Sequence, residues 1–134
     1  MNFRKLTDKL ILGAIPEAPE DDTLLRSLGV TDVINCIEEP ANLRSKWTGN
    51  QCYLPQIDDG LPRNFSLFTK GLNFFNKSTG IVYVHCWEGK RRGPTMAYVI
   101  LRANGMSEAK ATSLALPPYD YLVSAEEFLN FQCA

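Results

Sequence analysis

The sequence predicts a single α/β domain over residues 1–134, with a central, mostly parallel sheet of four or five strands and helices on both faces. Three observations carry this expectation. Strand-like runs alternate with helix-like periodicities along the chain, the pattern of strands joined by crossover helices. Residues 30–37 and 81–85 are continuous apolar-leaning runs, as expected of strands covered on both faces. With 134 residues, 45% hydrophobic and 22% charged, the chain has the size for one core and is too apolar for a disordered polymer.

The elements follow in order. Residues 3–6 and 9–12 flank Thr7-Asp8 and read as a short hairpin. Pro19-Glu20-Asp21-Asp22 places acidic residues where a helix can begin, Leu24, Leu25 and Leu28 give it an apolar face, and Gly29 can close it. Residues 30–37 form the next strand. Residues 38–50 are polar, contain Pro40 and Gly49, and read as a loop. Residues 51–57 are strand-like and stop at Asp58-Asp59-Gly60. Asn64 can cap a helix to about Lys77, with Phe68, Leu72 and Phe75 on one face. Residues 81–85 are the strongest strand. Pro94 fits the first turn of a helix that Asn104-Gly105 ends. Ser107 can cap a further helix, stopped by Pro117-Pro118. Ser124-Ala125-Glu126-Glu127 reads as a capping box opening the last helix, with Val123 and Phe128 as its staple.

Composition narrows the function. A net charge of −1 argues against a general nucleic-acid surface. No apolar run approaches the roughly 20 residues of a membrane span, and residues 10–15 are too short for a signal-peptide core. The cysteines are Cys36, Cys52, Cys86 and Cys133, with no CxxC pair, and the one histidine is His85. Neither a metal site nor a disulfide framework is expected. A monomer in a reducing compartment, the cytoplasm, is the expectation.

The chemistry concentrates in residues 81–95, a strand, a loop and a helix start. Five residues separate Cys86 from Arg92. A loop of that length can curl its N–H groups inward at the mouth of a helix, making an anion site suited to phosphate. A thiolate at Cys86 would lie in the same field, and the thiolate is the nucleophilic form. Arg92 can grip two phosphate oxygens as a planar fork. Trp87, Glu88, Gly89, Lys90 and Arg91 complete the loop as substrate-binding candidates, with Gly89 at its bend. Chance alone gives this combination of Cys, Arg, His and Gly on the order of once in ten thousand chains of this composition.

At these residues the sequence resembles the cysteine-dependent dual-specificity phosphatases, whose pattern His-Cys-x-x-Gly-x-x-Arg falls on His85, Cys86, Gly89 and Arg92. The resemblance covers nearly the whole chain, including Leu10-Ile11-Leu12-Gly13, residues 29–35 and Asp58-Asp59-Gly60. It implies a phosphomonoester hydrolase without metal or cofactor. Cys86 would attack phosphorus to form a phosphocysteine that water hydrolyses, and an upstream aspartate would protonate the leaving oxygen. Asp59 is the expected acid and Asp58 the alternative. The implied substrate is a phosphorylated protein or another phosphomonoester. The basic pair Lys90-Arg91 raises phosphoinositides or RNA 5′-phosphates as alternatives.

The departures matter as much. Position 93 usually carries a hydroxyl that stabilises the departing thiolate, and here it is Gly93. The chain shares this lack of a hydroxyl, and the Asp-Asp-Gly loop, with the phosphatase of regenerating liver group. Slow phosphocysteine breakdown is implied, with a phosphate-binding module of negligible turnover as the extreme alternative. Thr95 is expected to serve the helix and not the sulfur. Cys133 is second from last, where prenylation needs the fourth from last, so no membrane anchor is expected. Glu88 is expected on the rim beside Lys90 or Arg91. Trp87 can stack on a substrate ring or pack under the acid loop. Several relatives have a disulfide partner for the nucleophile one residue beyond Cys36. The one-residue offset should therefore turn Cys36 away from Cys86. Cys52 is expected to be a buried strand residue.

Overall fold

The Ile-Val-Tyr-Val run of residues 81–84 has nowhere to go but the interior, and it forms the central strand of the sheet. The structure is a computed structural model and describes residues 1–132. In chain order the elements are β1 (Phe3–Thr7), β2 (Leu10–Gly13), α1 (Pro19–Ser27), β3 (Val30–Asn35), β4 (Asn50–Tyr53), α2 (Phe65–Lys77), β5 (Ile81–His85), α3 (Arg92–Ala103), α4 (Glu108–Ala115) and α5 (Tyr119–Gln132). The five strands lie in the order β1-β2-β5-β3-β4. Only the β1–β2 hairpin is antiparallel; β2, β5, β3 and β4 all run the same way.

Strand alternation sorts side chains to two faces. Val82, Val84, Leu10, Leu12 and Ile34 pack with residues of α2, α3, α4 and α5 in the larger core cluster. Ile11, Val33 and Tyr83 pack on the other face with Leu25 of α1 and with Trp47. Helix α3 is buried along nearly its whole length, from Arg92 to Leu101, because it lies between the sheet and the outer helices. Asn64 and Ser107 cap α2 and α4 as expected, accepting from the N–H groups of Ser66 and Lys110. No helix among the described residues is long and apolar enough to cross a membrane.

Three expectations are corrected. The strands predicted over residues 30–37 and 51–57 end earlier, at Asn35 and Tyr53, because the chain must leave the sheet to build loops at its C-terminal edge. The last helix begins at Tyr119 and not at Ser124. The Pro118 carbonyl accepts from the N–H groups of Tyr121 and Leu122, so the helix starts directly on the proline pair. Ser124 lies inside it, and its hydroxyl accepts from the Arg63 N–H. Finally, Cys36 is not turned away from Cys86. The pairing Asn35↔His85 puts the two cysteines one step beyond the same register position, and both side chains join the same core cluster. Cys36 is fully buried, and burial pushes its thiol well above the usual range. Cys52 is a buried strand residue. Cys133 lies outside the described residues.

Candidate active site

Because β2, β3, β4 and β5 are parallel, their C-terminal ends open on one edge of the sheet, and the loops that follow them converge there. The loop after β5 carries Cys86 to Arg91, the loop after β3 carries Glu38, and the segment after β4 carries Ile57 and Asp58. Together they enclose a cavity of about 540 Å³ lined by Glu38, Ile57, Asp58 and, from the loop before α3 and its first residue, Cys86, Trp87, Glu88, Lys90, Arg91 and Arg92.

The Cys86 loop is shaped by its glycine. Gly89 has φ +76°, and a Cβ there would lie 2.7 Å from the Gly13 carbonyl carbon, so the loop can lie on β2 only with glycine at this point. From Trp87 to Arg92 no backbone N–H donates to a backbone carbonyl among the described residues. Six N–H groups at the start of a helix thus have no backbone partner among the described residues, and unpaired N–H groups at a helix start are a feature that suits an anion.

Arg92 is 4% exposed. Its Nη1 donates to the Glu38 carboxylate and, at 2.8 Å, to the Gln56 carbonyl. Its Nε is buried without a partner among the described residues. An unpaired buried donor of a charged group is costly, and a phosphate oxygen would relieve it. Glu38 therefore anchors the Nη1 end of the guanidinium, and Nε is left unpaired. Burial raises the Glu38 pKa, but hydrogen bonds from its own backbone and from Trp87, together with Arg92, outweigh this and hold the carboxyl below its usual range.

His85 lies behind the loop, fully buried and stacked on Tyr83 at 5.8 Å between ring centroids. A carbonyl only accepts, so its Nδ1 donates to the Cys86 carbonyl at 3.2 Å. Burial pushes its pKa down to about 4, against the raising effect of that bond and with the help of Arg92. It is a neutral donor that fixes the loop's first peptide. Thr95 donates its hydroxyl to the Arg91 carbonyl at 2.8 Å, so it serves the helix and not the sulfur.

The two aspartates part company. Asp58 lines the cavity, and its Oδ1 accepts from the Tyr121 hydroxyl at 2.6 Å and from Arg91 Nε at 2.9 Å. Asp59, the acid expected from the pattern, is not among the lining residues. It pairs with Arg63 and accepts from the Leu61 N–H. Arg63 decides this: 9% exposed, it also donates to the carbonyls of Ile57 and Leu61 and so ties the turn from inside. Glu88 and Lys90 pair at 3.4 Å, both well exposed. Trp87 packs on the β3 side, with Arg44 over its ring at 5.2 Å and its indole N–H directed at Glu38.

Sequence reasoning missed Glu38, Arg63, Asp120 and Tyr121. Glu38 had a readable signal, an acidic pair directly after a strand whose C-terminal end belongs at a shared edge. The others act across 29 or more residues of chain or within a turn that no local rule specifies.

No family model matches the sequence. A phosphoglucan phosphatase, DSP4 (amyloplastic), from Castanea sativa is 26% identical, over 93% of this chain; the chain spans only 40% of that relative's length. Among solved structures, the human tyrosine phosphatase-like serine/threonine/tyrosine-interacting protein superposes with a TM-score of 0.86 at 17% identity, covering 98% of each chain. PTPMT1 in complex with PI(5)P gives 0.82 at 22% identity, covering 98% of this chain and 99% of that one. A mouse putative dual-specificity phosphatase complexed with zinc tungstate gives 0.78 at 17%, covering 94% and 85%. The fold is that of the dual-specificity phosphatases. Within this dual-specificity phosphatase fold the cavity lies where the Cys86 loop, the Glu38 loop and the Asp58 segment meet.

Proposed function

We propose that the protein hydrolyses phosphomonoesters through a phosphocysteine on Cys86. The observation that carries this reading is the pairing, in one cavity, of Cys86 with a buried Arg92 whose Nε lacks a partner, at the end of a loop of free N–H groups. In the first step the Cys86 thiolate forms the S–P bond as the P–O bond to the leaving group breaks, and the aspartate proton passes to the leaving oxygen. In the second, water attacks phosphorus, the aspartate takes its proton, and the S–P bond breaks to release inorganic phosphate and the thiolate.

Asp58 is the acid in this scheme, since it faces the cavity. Burial raises its pKa, while the hydrogen bonds from Tyr121 and Arg91 and the nearby charges of Arg91 and Arg92 outweigh this and hold it below its usual range. A phosphate dianion entering the cavity competes for both arginines and adds negative charge beside Asp58, so substrate itself supplies the push toward protonation. Asp58→Ala is expected to lower kcat/KM about 10²-fold on phenyl phosphate, and by only a few-fold on a dinitrophenyl ester whose leaving group needs no proton. Asp59→Ala should show no such dependence. The reverse pattern in steady-state kinetics would move the acid to Asp59.

Gly93 sets the second step. A Cβ there would lie 3.4 Å from Cys86 Sγ, so a hydroxyl at this position could reach the sulfur, and glycine supplies none. One missing donor to a developing charge costs about 10²–10³ in rate at comparable sites. Gly93→Ser is therefore expected to raise steady-state turnover by roughly tenfold or more. The added atom also approaches Leu12 Cδ1 at 3.1 Å, the flexible end of a side chain. An unchanged turnover in a variant with a normal melting curve would show that the sulfur does not need this hydroxyl.

The natural substrate belongs with monoesters that suit a cavity rimmed by Lys90 and Arg91, phosphoprotein first. PTPMT1 with PI(5)P and the phosphoglucan phosphatase name the lipid and glucan alternatives. Turnover of the wild-type protein on an aryl phosphate, inhibited by inorganic phosphate, is the first test. Binding of phosphate with no turnover would assign a binding module instead.

A further inference from the structure

Helix α5 contributes nothing to the cavity's lining, yet Tyr121, fully buried on it, holds the acid loop at two points. Its hydroxyl oxygen accepts from the Gly60 N–H at 3.0 Å, and its proton goes to Asp58 Oδ1 at 2.6 Å. A phenol has one proton, and the Gly60 N–H occupies a lone pair. The hydroxyl is thereby aimed at Asp58 with no choice of direction. The ring is clamped as well, with the Arg63 guanidinium 4.1 Å and the Arg91 guanidinium 4.9 Å from its centroid. Arg91 also bridges Asp58 and Asp120, the residue before Tyr121.

The consequence lies in which carboxylate oxygen is left. Both donors, Tyr121 and Arg91, are on Oδ1. Oδ2 accepts no hydrogen bond from the described residues. We propose that Tyr121 is the positioning residue of the general acid: by occupying Oδ1 it confines the transferable proton to Oδ2, on the oxygen left free for the leaving group. The proposal rests on the phosphatase reading above, and it adds a residue 63 positions from the acid, outside the motif and without contact to the reacting atoms.

The pH dependence follows from the groups that face Asp58. These are Arg91 of the loop, Arg92 of α3, and Tyr121 of α5; Asp120 of α5 bears on it through the shared Arg91, and within its own turn Asp59 is taken by Arg63. Removing the hydroxyl removes a donor to the ionised carboxylate, so the proton binds more tightly. The enzyme needs that proton, so the descending limb of the pH profile should move to higher pH.

The test is Tyr121→Phe, which keeps the ring that both guanidiniums approach. Its kcat/KM on phenyl phosphate is expected to fall about tenfold, with less than about a twofold change on a dinitrophenyl ester. The descending limb of kcat/KM should rise by about half a pH unit or more. Tyr121 replaced by 3-fluorotyrosine, a stronger donor of nearly the same shape, should move the limb the other way. A purely structural role would lower both substrates alike and leave the limb in place, and that result would overturn the proposal. Carbon-13 NMR titration of Asp58 provides a readout free of turnover. An Asp58 titration unchanged between wild type and Tyr121→Phe would sink the proposal even in an active enzyme. A wild type that turns over nothing, but whose Asp58 titration shifts in the variant, would sink the phosphatase reading and leave the contact standing.

Discussion

Cys86→Ser is expected to lower turnover at least about 10³-fold while leaving the melting temperature close to that of the wild type. No histidine is placed to activate a serine at this position. A hydroxyl nucleophile needs an adjacent base, and the one histidine, His85, is fully buried with its Nδ1 committed to the carbonyl of residue 86. Its pKa of about 4 reflects a ring held neutral by burial behind the loop, not a base presented to the cavity. A serine at position 86 stays protonated near neutrality and cannot attack. The substitution exchanges sulfur for oxygen at a site 2% exposed, so the packing changes little. Steady-state assay on an aryl phosphate with a parallel thermal melt checks both halves. Retention of more than a few per cent of the activity would remove Cys86 from the nucleophile's role.

Arg92→Lys should cost about 10²–10³ in kcat/KM, comparable to losing a donor aimed at developing charge. The charge is retained, but its partners decide the outcome. In the wild type, Nη1 satisfies Glu38 and the Gln56 carbonyl, and Nε has no partner among the described residues, which is the donor the proposed scheme gives to the phosphate. A lysine has a single nitrogen. If it takes the place of Nη1, nothing is left for the phosphate; if it turns to the phosphate, Glu38 is left without its partner. Either way, inhibition by inorganic phosphate should weaken in step with kcat/KM. Near wild-type kinetics in Arg92→Lys would mean that the fork is not used.

The residues that were legible in the sequence are those whose chemistry is contiguous. Strand β5, the loop from Cys86 and helix α3 follow one another without interruption, and local rules suffice to place a cysteine, a guanidinium and N–H groups without backbone partners at one helix mouth. The choice between Asp58 and Asp59 is of another kind. An Asp-Asp-Gly turn permits either side chain to face inward, and the decision is made by Arg63, which takes Asp59, and by Tyr121, which takes Asp58. The start of α5 is hidden in the sequence for a related reason. Ser124 and Glu127 have the spacing of a cap, but the proline pair already supplies the helix start, and the Ser124 hydroxyl is used by the Arg63 N–H on a distant loop. Glu38 fell in a segment that read as featureless loop, although its role follows from the parallel sheet once the strand order is known.

The most direct test of the phosphocysteine account is to trap the intermediate. Wild-type protein mixed with excess aryl phosphate should release a burst of phenol equal to the number of active sites, because Gly93 supplies no hydroxyl for the second step. Acid quenching within the burst, followed by proteolysis and mass spectrometry, should find the phosphoryl group on the peptide carrying Cys86. Turnover from the first instant without a burst, with no phosphoryl group on Cys86 in the quenched protein, would contradict the account.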